Sequence, residues 1–136
     1  MKYLVDSRLI VDVLEGETEA ARRALALFKA HAQDELLLAQ VSYVALSSSF
    51  LGIRSMQDAF LGNLNVKVAG DAPMEVLDAA YTAWSRYRDD NPEDAEADSA
   101  FNTLYVGALG LLYDGVMTSR GSFFKKYFET LNVVEP

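Results

Sequence analysis

The stretch KYLVDSRLIVDVLEGE, residues 2–17, ends a short apolar run with Asp6 and sets Arg8 two places further on. A carboxylate at the tip of a strand suits a hard divalent cation, which takes oxygen ligands. It equally suits capping of the helix that follows. An arginine this close offers a third use, an ion pair, because a guanidinium stays protonated at any ordinary pH. Other candidates for chemistry are few. His31 is the only histidine and falls where a helix should end, a place its charge favours; a lone imidazole makes no metal cluster. With no cysteine, thiolate zinc sites, iron–sulfur clusters and disulfides are excluded. The acidic run DDNPEDAEAD, residues 89–98, lacks the glycine and regular oxygen spacing of a Ca²⁺ loop and reads as a loop leading into a helix. Asp12, Asp34 and Glu35 read as surface acids, and Ser47 to Ser49 as small-residue packing or local hydrogen bonding. No glycine-rich phosphate loop or nucleophile–histidine pattern points to another enzyme class.

The elements that must position Asp6 follow from the apolar pattern. Tyr3 to Val5 reads as a strand and Leu9 to Leu14 as a helix, with Thr18 as the N-cap of a second helix reaching His31. Leu36 to Ala39 is a second strand, and Val41 to Leu51 a helix or helix-like segment closed by Gly52. Pro73 opens a helix that runs to about Arg88, with Val76, Ala80 and Trp84 on one face. Another helix starts near Glu96 and carries Phe101, Leu104, Tyr105, Ala108 and Leu112. After Gly115 come a strand over Val116 to Thr118, a short helix over Ser122 to Phe128 and a last strand at Val133 and Val134. Short apolar strands alternating with helices imply an α/β fold: a parallel sheet covered on both faces. Ligands then gather at the carboxyl ends of the strands, where Asp6 lies. Trp84 and the tyrosines of YTAWSRY fit a core or an interface better than stacking on bases.

At 136 residues the chain has the size of one domain, residues 1–136, able to bury a core. Its 51% apolar content argues against disorder. No apolar run is long enough for a membrane span, and no basic segment followed by a long apolar core marks a signal peptide, so a cytoplasmic protein without membrane contact is expected. A net charge of −8 repels polyanions at long range. It leaves room for a local basic patch, a cation-binding cleft or a basic partner.

Several phrases in order resemble the PIN domain, and within it the VapC-type toxin ribonucleases. YLVDSRLIVDVLEGE is similar to that family's opening strand and helix. VSYVALSSSFLGI is similar to its second strand-to-helix segment, where a glutamate is usual. DSAFNTLYVGALGLLYDGVMTSRGSFFKKY followed by LNVVEP is similar to its closing half. The resemblance covers nearly the whole chain. It implies a three-layer α/β/α fold with a short central parallel sheet, and three or four acids holding Mg²⁺ or Mn²⁺ that activate water against a phosphodiester. It also implies an antitoxin protein partner, an RNA substrate and a homodimer.

Carried over residue by residue, the resemblance gives a depleted acid set. Asp6 matches the first acid, with Arg8 in place of an asparagine. The second acid falls near Ser48, which supplies no charge. The third falls on Asn102 by ungapped counting from Thr118, or on Asp98 if the helix is one turn longer; the two share a helix face. The fourth falls near Arg120 or Gly121. Asp6 and Asp98 are therefore the metal-ligand candidates, and Asn102 shares their expected catalytic position. Arg8, Ser48 and Arg120 are the replaced positions, and an ion-pair cluster is expected there, with Arg8 or Arg120 bonded to Asp6 and Arg8 the foremost candidate. Two functions stay open: a Mg²⁺- or Mn²⁺-dependent endoribonuclease toxin, or a non-catalytic PIN-like domain, without a metal, that binds RNA or protein or self-associates.

Overall fold

The structure is a computed structural model that describes residues 1–93 and 97–136, with the backbone alone for residues 97–99. Five parallel strands form one sheet in the order β3-β2-β1-β4-β5. They are β1 (Lys2–Val5), β2 (Glu35–Leu38), β3 (Val66–Val68), β4 (Val116–Met117) and β5 (Val133–Val134). Seven helices connect them: α1 (Ser7–Leu14), α2 (Glu19–Ala30), α3 (Gln40–Ala45), α4 (Arg54–Asn63), α5 (Met74–Asp90), α6 (Ala97–Gly110) and α7 (Gly121–Tyr127). A 3₁₀ turn over Leu46–Phe50 continues α3.

The alternation of strand side chains divides the core in two. Tyr3, Val5, Leu36, Leu38, Val66 and Met117 pack with residues of α1, α2, the 3₁₀ turn and α4. Leu4, Leu37 and Val116 pack with residues of α5, α6 and α7 on the other face. The result is the three-layer α/β/α arrangement of a PIN-like fold, with helices covering both faces of a parallel sheet.

Most of the expected elements form. Thr18 caps α2 by accepting a hydrogen bond from the Ala21 N–H at 3.0 Å, and Pro73 stands at the N-cap of α5. Two elements were not anticipated, α4 and β3, because residues 52–72 lack a strong apolar period; β3 is only three residues long. The helical segment expected over Val41 to Leu51 forms in two parts. It leaves α-geometry at Leu46, tightens into the 3₁₀ turn, and ends at Leu51 in the left-handed region (φ 55°), followed by Gly52 (φ 73°). Among the described residues no helix is long and apolar enough to cross a membrane.

The strand order fixes where a site can form. β2 and β3 extend to one side of β1, and the chain then crosses to place β4 and β5 on the other. The crevice at the carboxyl ends of β1 and β4 is therefore the topological switch point, the usual ligand position in open α/β sheets. Asp6 follows β1 directly and Thr118 follows β4, and the Asp6 N–H donates to the Met117 carbonyl at 2.9 Å.

Candidate functional site at the switch point

Asp6 is the N-cap of α1, its extended backbone (φ −70°, ψ 132°) placing the carboxylate at the helix start. Only 1% of the residue is exposed. Arg120, from the loop after β4, reaches across and grips it in parallel. Nε donates to Oδ2 at 3.0 Å and Nη2 to Oδ1 at 2.7 Å. The Thr118 hydroxyl donates to Oδ2 at 2.8 Å, and the Arg8 backbone N–H to Oδ1 at 3.4 Å. An ionised carboxylate has about four lone-pair sites, and these four donors fill them. Thr118 also accepts from the Arg120 N–H at 2.9 Å, which fixes the loop that carries the guanidinium.

A second acid lies one and a half turns along α1. Asp12 is 4% exposed, which corrects its reading as a surface acid. It pairs with Arg8 Nε at 3.4 Å and accepts from the Ser119 hydroxyl at 2.9 Å. Two carboxylates thus face two guanidiniums, and the loop Thr118-Ser119-Arg120 is fastened to α1 through each of its three side chains. Asp12 was missed although a signal existed: it stands four places after Arg8, within the apolar run VDVL.

Next to the ion pair is a notch of about 40 Å³, lined by Ser7, Ser42, Asn102, Thr103 and Arg120 beside Asp6. Asn102 is therefore at the site. Asp98 falls in the first turn of α6, and its side chain lies outside the described residues. Ser48 does not line the notch. It is exposed on the 3₁₀ turn, its hydroxyl donating to the Ala45 carbonyl at 3.3 Å. Ser42 and Ala45 of α3 stand in the wall instead. Arg8 is also corrected: only its backbone N–H touches Asp6, while its side chain leans along α1 to Asp12. Arg120 is the guanidinium beside Asp6.

The described donors do not fit a divalent cation. Among the described residues no three acidic or histidine side chains gather to hold a metal. Mg²⁺ is held through one or two carboxylates with open oxygen sites, and both oxygens of Asp6 are already engaged.

No family model matches the chain, and no curated protein matches it. A solved structure does: a chain of VapBC-1 from nontypeable Haemophilus influenzae. It superimposes with a TM-score of 0.67 at 14% sequence identity, covering 99% of this chain and 98% of that one. At that identity the likeness shows a shared fold, the same α/β/α architecture over the full length of both chains.

Proposed function

We propose that this protein is a VapC-like domain whose switch-point cleft works as a binding site, in which an arginine stands where a cation-dependent nuclease would hold its metal. The observation that carries this reading is the bidentate grip of Arg120 on the buried Asp6. An arginine cannot be titrated away, so no ordinary pH returns the carboxylate to a cation. The Asp12–Arg8 pair beside it leaves the described charges balanced rather than negative. Water activation by Mg²⁺ or Mn²⁺ then has no place in the cleft, and the protein acts by contacting RNA, a protein partner or a second copy of itself.

Calorimetric titration of Mn²⁺ into the wild type and Asp6→Ala tests this. The expected result is the absence of a saturable site tighter than about 1 mM in either protein. A tighter site lost in Asp6→Ala overturns the proposal.

The full-length likeness to the VapBC-1 chain favours a second reading, a ribonuclease toxin held by an antitoxin. The two readings separate on expression of the chain alone. Growth arrest abolished by Asp6→Ala supports the toxin. Arrest that persists in Asp6→Ala, or no arrest at all, supports the binding role.

A further inference from the structure

On another face, a pocket of about 350 Å³ lies between α3 and α4, lined by Tyr43, Val44, Ser47, Gly52, Arg54 and Gln57. Its volume is in the range of ligand-binding clefts, and its polar groups are of complementary kinds. Arg54 is held in place by its Nε, which donates to the Tyr43 hydroxyl at 2.8 Å while that hydroxyl donates to Asp58 at 2.6 Å. Its guanidinium lies over the Tyr43 ring, 5.4 Å from the centroid, and feels the charge of Asp58, but neither Nη group has a hydrogen-bond acceptor or an ion-pair partner among the described residues. Arg54 also opens α4, whose N-cap, Ile53, offers no side-chain cap. The Arg54 and Ser55 N–H groups consequently have no acceptor among the described residues. An uncapped helix start with a fixed guanidinium attracts an anion, and the guanidinium fork matches a carboxylate.

The pocket also offers an acceptor. Gln57 is only 2% exposed and donates its Nε2 to the Tyr43 carbonyl at 2.7 Å. Gln57 lines the pocket, and its Oε1 has no hydrogen-bond donor among the described residues. Val44 in the lining is exposed, and so are Leu51, Ile53 and Met56, each next in sequence to a lining residue. Leu51 is the most telling. It is 85% exposed and held at φ 55°, a left-handed backbone that a leucine adopts at a cost, with its side chain in water. Neither burial nor backbone preference accounts for a leucine there.

We infer that this pocket docks a segment of a second protein in which a carboxylate side chain is flanked by branched aliphatic residues. The carboxylate meets Arg54 and the open start of α4, a backbone N–H of the segment meets Gln57 Oε1, and the aliphatic neighbours lie on Leu51, Ile53 and Met56. A free anion would use the first contact alone, so the acceptor and the exposed apolar side chains select a peptide. The site is separate from the Asp6 cleft and holds whichever function that cleft serves.

The test is an NMR titration of the ¹⁵N-labelled full chain with the probe acetyl-Gly-Leu-Glu-Ile-Gly-amide and with its glutamine counterpart. The glutamate peptide is expected to shift the amides of Ser47, Gly52, Arg54 and Ser55 saturably, with a Kd on the order of 1 mM. The glutamine peptide should bind roughly tenfold more weakly. Arg54→Gln, on the surface and compatible with the fold, should erase the difference between the two peptides. Leu51→Gly should weaken both several-fold while leaving the spectrum dispersed. Four results each overturn the proposal: no saturation by about 10 mM, equal binding of the two peptides, shifts confined to the Asp6 cleft, or the same amides shifting with protein concentration alone, which would assign the face to a second copy.

Discussion

Arg120 and Asp6, separated by 114 positions in the chain, are joined by two parallel hydrogen bonds at the centre of the sheet's carboxyl edge. Breaking such a pair from one side leaves a buried charge uncompensated, which costs roughly 3–5 kcal/mol when both partners are buried. The Arg120 side chain is 40% exposed, so water reaches the site. Arg120→Ala is accordingly expected to lose about 2 kcal/mol in urea unfolding. A double-mutant cycle with Asp6→Ala should return a coupling of similar size; additive losses would show that the pair contributes little.

Arg8 provides the contrast. Its side chain is more than half exposed and meets only Asp12, at 3.4 Å. The pair is a single contact, and Asp12, though buried, keeps the Ser119 hydroxyl when Arg8 is removed, so Arg8→Ala should shift the unfolding midpoint less than Arg120→Ala. Equal losses would contradict the division of labour between the two arginines.

Leu51→Gly should depart from the usual cost of introducing glycine. A glycine loses about 1 kcal/mol through chain entropy, but here it relieves a left-handed leucine whose strain is of the same size. The exposed side chain leaves no cavity. Stability equal to wild type, or slightly above it, is the expected outcome of denaturant titration, and a loss above about 1 kcal/mol would refute the strain.

The amino-terminal edge of the sheet has its own acid-sensitive contact. Asp34 accepts from His31 Nδ1 at 2.8 Å and from the Met1 ammonium at 3.1 Å. The hydrogen bond to His31, and then the one to the ammonium, hold its carboxyl below the usual 3.8. A lowered folded-state value means the contact adds stability above the unfolded value and loses it as pH falls through the folded one. Asp34→Asn should therefore be less stable than wild type near pH 6, with the gap closing as pH drops below about 4. A gap unchanged down to pH 2 would rule out Asp34 as its source.

Much of this arrangement is legible in the residues. The run Tyr3 to Val5 ending at Asp6 marks a buried strand and its tip, and Thr18, Pro73 and Gly115 punctuate the chain where elements begin and end. What was illegible has physical causes. The position carried over from the resemblance, Ser48, falls on the 3₁₀ turn over residues 46–50, while Ser42 and Ala45 line the notch. Arg8 is near Asp6 in sequence, yet as the second residue of a helix capped by Asp6 it directs its side chain along α1. Arg120 was one of two arginines expected near Asp6, and the pairing of β1 with β4, which local pattern does not encode, is what selects it over Arg8. Asp12 hides among apolar neighbours because its charge is satisfied by groups from elsewhere in the chain.

The order of the strands also carries a consequence for how the molecule comes into being. β1 lies in the middle of the sheet, and one of its two neighbours, β4, comes far later in the chain. Until Thr118 and Arg120 arrive, Asp6 has neither of its side-chain donors, and the apolar edge of β1 that β4 will cover is open. Completion of the sheet and closure of the cleft are thus one event, set by the slowest and most distant contact in the fold. A chain cut short before β4 would have no cleft to offer any partner.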